Sequence, residues 1–475
     1  MKRYLVYLLV VPLGLSCQRE SPRELEKSKP NVLFIAVDDL RPMLGCYGNQ
    51  YIKTPNIDRL AAEGTLFEKA YCNVPVCGAS RASLLTGMRP TRTRFLNYHT
   101  RADKDAPGIT SLPAHFKQNG YYTASLGKIF HHMDDMKESW SEDPWRAKYI
   151  RPNGEESLSR HYLLEENKLI DARPGKRGPP YEMAEVADSA YFDGQMVKRA
   201  IAKLRAFSKT DTSFFLAVGF LKPHLPFNAP KKYWDLYPEE SISLAANPFW
   251  PENAPKEGWY GIGELRNYHD VPPKGPIPDP LALKLVRAYH AAVSYTDALI
   301  GELLQALEAT DLHENTIVVL WGDHGYLLGE HRLWCKHITF NKALHVPLLI
   351  KAPGYASPQK INRLAEYIDI YPTLCDLAGL PAPGHLAGTS LMGLMKDPES
   401  EGKEYITSRY KNMEAIKTDQ YLYTEWIDSA GNVTDRMLYD HKIDPEENVD
   451  IANAPEHKEL VEKLSHKLHE ISTLK

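Results

Sequence analysis

The sequence predicts an α/β fold: a large, mostly parallel sheet flanked by helices, with a smaller antiparallel-sheet subdomain at the C-terminal end. Three observations predict it. Four apolar runs, Asn31–Val37, Tyr121–Leu126, Phe214–Phe220 and Thr316–Leu320, have the near-continuous hydrophobicity of strands buried on both faces. Stretches with helical spacing lie between most of them, as crossover connections require. About the last hundred residues change to short alternating segments followed by a polar helix.

The 475 residues are 43% apolar and 25% charged, an ordinary soluble composition with room for more than one domain. A net charge of −4 argues against nucleic acid as a partner, so a polyanionic ligand would have to meet locally concentrated positive charge. Lys2 and Arg3 precede an apolar run, Tyr4–Leu15, too short to span a bilayer but suited to a signal peptide. Gly14-Leu15-Ser16-Cys17 is similar to a bacterial lipobox, which makes residues 1–17 a leader, Cys17 the lipidation site and residues 18–29 a tether. Simple secretion with cleavage nearby is the other reading. Export to the periplasm or cell surface follows from both, with membrane attachment through the N-terminal lipid alone. Residues 30–398 form the expected main domain and 399–475 the C-terminal subdomain. Setting Cys17 and Cys77 aside, the four remaining cysteines (46, 72, 335 and 375) show no zinc or redox spacing and identify no disulfide.

Taken in order, Asn31–Val37 stops at Asp38-Asp39, two carboxylates that a buried strand end tolerates only with a cation or hydrogen bonds; a surface turn is the competing reading. Oxygen ligands of this kind suit calcium or magnesium. Thr54–Gly64 is a short helix with Asn56 as N-cap, and Leu66–Asn73 leads into Val76–Gly87. A helix entered at Cys77 puts Arg81 on the same face and the thiol at a terminus that favours negative charge, which suits a nucleophile or an anion site. The competing reading is a small buried cysteine at a helix start. Arg89, Arg92 and Arg94 crowd a loop that is either solvated or able to grip a carboxylate.

Tyr121–Leu126 runs out at Lys128 and His131, and residues 133–181 form a polar insertion. Ala187–Phe207 has helical spacing. Phe214–Phe220 runs out at Lys222 and His224. Pro238–Pro280, with nine prolines, is an irregular loop of the kind that rims a pocket. Leu281–Leu307 is an amphipathic helix, Thr316–Leu320 leads to Asp323-His324, and Leu333–His337 supplies Lys336. Val346–Lys351 is a further strand and Tyr367–Leu380 a helix. Strands around Glu404–Trp426 and Thr434–Asp440, then a helix over Pro455–Thr473, complete the chain.

Four strands thus end in residues of catalytic type, and ligands of parallel α/β sheets bind beyond the carboxyl ends of strands. Asp38, Asp39 and Asp323 call for a divalent cation; Arg81, Lys128, Lys222 and Lys336 call for an anion. The pair reads as metal-assisted transfer of a sulfuryl or phosphoryl group.

With Ala36–Asp39, Val76–Gly87, Gly127–His131, Phe214–Phe227, Ser294–Asp297, Gly322–Lys336 and Tyr439–Asn448 in this order, the chain from about Pro30 onward resembles the type I sulfatases of the alkaline-phosphatase superfamily, and within them the iduronate-2-sulfatase group. The resemblance implies a large mixed, mostly parallel sheet and removal of sulfate, specifically 2-O-sulfate of a uronic acid at a glycan end. It implies one calcium ion held by Asp38, Asp39, Asp323, His324 and an oxygen of Cys77, once a maturation enzyme has converted that cysteine to formylglycine (3-oxoalanine). It gives Arg81 the steadying of that residue, Lys128 and Lys336 the sulfate oxygens, His224 protonation of the leaving oxygen and His131 removal of a proton from the second hydroxyl. Lys222, with Arg92 and Arg94, is expected in substrate binding, the substrate being a sulfated oligosaccharide. Ala79 stands where the signature usually has proline, and His324 where many sulfatases have asparagine. Two other readings stay open: a phospho- or phosphonate-ester hydrolase on the same scaffold, and a glycan-binding lipoprotein in which Cys77 is unmodified.

Overall fold

Strand β1 (Asn31–Val37) lies inside a seven-stranded sheet whose other members are β2 (Thr65–Tyr71), β3 (Tyr122–Gly127), β4 (Phe214–Phe220), β5 (Thr316–Gly322), β6 (Leu348–Lys351) and β7 (Gln359–Glu366). The order is β7-β2-β6-β5-β1-β4-β3. The computed structural model describes residues 29–473 apart from 158, 159, 176, 257–262, 356 and 357, together with the isolated positions 1 and 5. Cys17, with nearly all of the expected leader and tether, lies outside the described residues. No helix among the described residues is long and apolar enough to cross a membrane.

Alternate residues of β1 enter two cores: Val32, Phe34 and Ala36 on one face, Leu33, Ile35 and Val37 on the other. That explains its unbroken apolar run. Phe34 packs between Phe215 and Trp321, with ring centroids 5.5 and 5.4 Å away. On one side lie helices α1 (Pro55–Ala62), α3 (Phe192–Phe207) and α4 (Asp279–Glu308); on the other lie α2 (Cys77–Thr86) and α5 (Ile370–Leu377).

The register decides where the polar strand ends fall. β1 is parallel to both neighbours, with Val37 opposite Phe220 on β4 and Gly322 on β5. Gly127 of β3 lies opposite Gly219 of β4. Asp38, Lys128, Leu221 and Asp323 therefore leave one edge of the sheet together, as the strand pattern predicts. Two glycines permit the closeness. Gly127 has φ +73°, and a Cβ on Gly219 would lie 2.1 Å from the Lys128 carbonyl oxygen.

Several expectations need correction. Leu66–Asn73 is not a mere lead-in, since Thr65–Tyr71 forms β2. Val346–Lys351 shortens to β6, which runs antiparallel to β2 and β5 and is the antiparallel member of the expected mixed, mostly parallel sheet. β7 has no counterpart in the sequence reading; its residues are largely polar, as befits an edge strand, and a register shift interrupts it between Ile361 and Leu364. Asn56 is not the N-cap of α1. Thr54 holds that position without a side-chain bond, and Asp297 of α4 accepts from the amides of Asn56 (3.1 Å) and Ile57 (2.8 Å) instead. The five described cysteines 46, 72, 77, 335 and 375 are all free thiols.

The C-terminal sheet is the antiparallel meander β8 (Tyr405–Tyr410), β9 (Met413–Thr418), β10 (Tyr421–Ile427) and β11 (Val433–Asp440). Its period-two pattern divides the residues cleanly. Met413, Ala415, Leu422 and Met437 join the main core, while Ile416, Tyr423 and Leu438 pack with Val461, Leu464 and Leu468 of the terminal helix α6 (Lys458–Thr473).

Candidate active site

Cys77 is the first residue of α2, and the preceding Val76 is extended and provides no side-chain cap. Burial of the whole helix is unusual for so polar a sequence; it follows from the position of α2 beneath the strand ends, where its polar groups find partners. Arg81, one turn on, is wholly buried. Its Nε donates to Asp323 Oδ2 at 2.9 Å, its Nη1 donates to the carbonyls of Lys128 and Ile129, and its Nη2 lies 3.6 Å from Asp38 Oδ1. One guanidinium thus ties the ends of three strands to α2.

Asp38, Asp39 and Asp323 are each 0% exposed. Lys128 Nζ donates to Asp38 Oδ2, and Lys336 Nζ donates to Asp39 Oδ1 at 2.9 Å. Burial alone would push the Asp38 carboxyl up, but Lys128, with His224 and Arg81, holds it well below the usual carboxylate range. Asp323 goes the other way, raised by burial and by the Asp38 charge. Burial, then Asp38, drives the Cys77 thiol well above its ordinary range. A thiol held neutral is a poor nucleophile.

Ligating atoms of Asp38, Cys77, Asp323 and His324 all lie within 4.8 Å of one another, as do those of Asp39, Cys77 and His224. His324 Nδ1 is 2.9 Å from the Gly325 carbonyl, which only accepts, so Nδ1 carries a proton and Nε2 is the nitrogen left to the site. That Nε2 lies 3.3 Å from Cys77 Sγ, 3.4 Å from Asp39 and 3.6 Å from Asp323. Asp38 Oδ1 is buried without a hydrogen-bond partner among the described residues. An orphaned carboxylate oxygen, two further buried carboxylates and an imidazole nitrogen fit a divalent cation with mainly oxygen ligands.

His224 Nδ1 lies 2.6 Å from the Leu225 carbonyl, so it too is protonated there, and Nε2 faces the site. Burial, reinforced by Lys128, lowers the pKa of His131 and keeps that ring neutral; its Nδ1 has no partner among the described residues.

Three expected contributors are placed elsewhere. Lys222 donates to the carbonyls of His224 (2.9 Å) and Pro226 (2.6 Å), so it shapes the loop that carries His224 and is not presented to the anion site. Arg92 pairs with Glu414 at 2.9 Å, and Arg94 donates to the Arg89 carbonyl. Both line a cavity against β8, β9 and α6 that includes none of the site residues. One acid in the site carries no sequence signal. Glu264, in the proline-rich loop, lies 3.1 Å from His224 Nε2 and 3.0 Å from Lys336 Nζ.

Comparison with known proteins agrees with this geometry. The family described as Sulfatase matches residues 30–380, and N-sulphoglucosamine sulphohydrolase, C-terminal, matches residues 329–473. Iduronate 2-sulfatase of Mus musculus is 36% identical over 394 residues, covering 74% of this chain and 69% of that one. A sulfatase of Formosa agariphila is 34% identical over 451 residues, covering 89% and 84%. A phosphonate monoester hydrolase of Silicibacter pomeroyi has the same fold, with a TM-score of 0.73 over 93% of this chain and 94% of that one at 20% identity. With a family match across most of its length and relatives this similar, the chain is an enzyme that belongs to the sulfatase family.

Proposed function

We propose that the chain is a calcium-dependent exo-sulfatase that removes 2-O-sulfate from a uronic acid at a glycan end, with Cys77 matured to formylglycine. One observation carries the reading: position 77 clusters with the carboxylates of Asp38, Asp39 and Asp323 and with His224 and His324, and Lys128 and Lys336 donate to two of those carboxylates. The linkage rests on the relatives named iduronate 2-sulfatase.

Asp38, Asp39, Asp323 and His324 would hold the calcium ion, whose charge supplies Lewis-acid stabilisation of the reacting oxyanion. Matured to formylglycine and hydrated, residue 77 would supply two hydroxyls, one for attack on sulfur and one for release of sulfate, where a serine or a thiol offers only a single group. The neighbours do the rest. Arg81, fixed by Asp323 and two carbonyls, fixes the face of α2 that carries residue 77. Lys128 and Lys336 offer ammonium protons to the non-bridging oxygens. His224, oriented through Nδ1, gives the Nε2 proton to the departing sugar oxygen. His131, kept neutral, accepts the proton of the second hydroxyl.

Export through the N-terminal leader and anchoring at Cys17 belong to the same proposal. The test is sulfate release from disaccharides sulfated singly at O2 of the uronate or at the amino sugar. Release only from the 2-sulfated compound is expected; release only from the others overturns the linkage, and release from neither overturns the activity.

A further inference from the structure

Glu264 stands on the short helix Gly263–Arg266, and its two carboxylate oxygens engage two of the groups just assigned to the substrate. Oε1 is 3.1 Å from His224 Nε2, the atom proposed to serve the leaving oxygen, and Oε2 is 3.0 Å from Lys336 Nζ, proposed to hold a sulfate oxygen. Lys336 also touches both oxygens of Asp39, at 2.9 and 3.1 Å. A single ammonium therefore faces two carboxylates before any ester arrives. Burial would push the Glu264 carboxyl up, but Lys336 and His224 hold it well below its usual range, so its charge is fixed near neutral pH.

An ester that reaches Lys336 and His224 must lie beside this carboxylate. A sulfate monoester brings one negative charge; a phosphate monoester brings nearly two above its second pKa of about 6. Like charges a few ångströms apart in a buried site repel strongly, and the second charge doubles the repulsion. We propose that Glu264 is a specificity-determining residue, a fixed negative charge at the rim of the anion site that admits monoanionic esters and disfavours dianions. The same repulsion acts on product, because free sulfate is a dianion while the ester is not. The proposal rests on the sulfatase reading and adds to it a reason the site would favour sulfate monoesters over phosphate monoesters.

A plain structural brace would use the same contacts, so the test separates the two. The full-length, calcium-loaded, matured enzyme and its Glu264→Gln variant are compared in kcat/KM for 4-nitrophenyl sulfate and 4-nitrophenyl phosphate. Calorimetry measures binding of methyl sulfate, a monoanion, and of inorganic sulfate, a dianion. Glu264→Gln is expected to lower the sulfate-to-phosphate ratio about tenfold and to tighten inorganic sulfate about tenfold more than it tightens methyl sulfate. Parallel changes for both esters and both anions would overturn the proposal and leave a brace. If the variant does not fold, wild-type binding decides: methyl sulfate tighter than inorganic sulfate supports the charge filter, and the reverse order refutes it. The binding ratio needs no turnover, so an enzyme that hydrolyses no ester would sink the proposed function and leave this inference separately judged.

Discussion

Replacing Arg81 with methionine probes the link between fold and site most sharply. The side chain is wholly buried and serves Asp323, Asp38 and the carbonyls of Lys128 and Ile129. Methionine fills much of the volume but leaves two carboxylates and two carbonyls short of a donor. Removing one partner of a buried ion pair costs about 3–5 kcal/mol. Each orphaned carbonyl adds about 1–3 kcal/mol where no water reaches it. These losses share one guanidinium and do not sum, so we expect Arg81→Met to lose about 3–5 kcal/mol with chelator present, a large part of the stability of a typical domain. Calcium at a hundred times its dissociation constant stabilises any binding-competent fold by about 2.7 kcal/mol. It should do so in the variant too, because Asp38 and Asp323 remain. Urea unfolding followed by tryptophan fluorescence, with chelator and with calcium, reads both effects. A loss below about 1 kcal/mol in chelator would refute the view that Arg81 compensates the buried carboxylates.

Other outcomes follow from the same geometry. His224→Ala should reduce kcat on a sugar sulfate by about a hundredfold or more and on 4-nitrophenyl sulfate far less, since nitrophenolate leaves without a proton; equal losses would remove His224 from the acid role. Arg92→Ala and Arg94→Ala should each change kcat/KM by less than about threefold, because surface pairs away from the site contribute little; a tenfold loss would restore the expected grip on a substrate carboxylate. Glu366 is wholly buried and accepts from Arg89, Lys403 and the Thr407 amide. Burial opposes its ionisation, but Lys403 and Arg89 hold its pKa at about 2. Its folded pKa thus lies below the unfolded value of about 4.3, so its stabilisation is complete above that pH and is lost as pH falls toward 2. Urea midpoints between these limits should fall more steeply in the wild type than in Glu366→Gln, and superimposable profiles would contradict the assignment.

The strands that carry the site were legible because burial on both faces writes an unbroken apolar run, as in β1, β4 and β5. The motifs beyond them were legible for a related reason: charged residues directly after such a run are placed by the register of the sheet and by little else. Direction was less legible. β6 reads as apolar whichever way it runs, and its antiparallel placement follows from its connection to β5. The polar edge strand β7 is stabilised by one neighbour and carries no core pattern. Arg92 misled because the acid that claims it, Glu414, lies 322 residues away. Lys222 misled because the direction of its ammonium is set by carbonyls of its own loop. Glu264 gave no local sign at all, since Gly-Glu-Leu-Arg is ordinary and only the path of a proline-rich loop brings it to His224 and Lys336.

The chemical state of residue 77 is the most direct test. Mass analysis of the proteolytic peptide that contains it, from protein that releases sulfate, should show an aldehyde and its hydrate in place of the thiol. An active preparation in which that peptide carries only cysteine would contradict the proposed chemistry, whatever else the site binds.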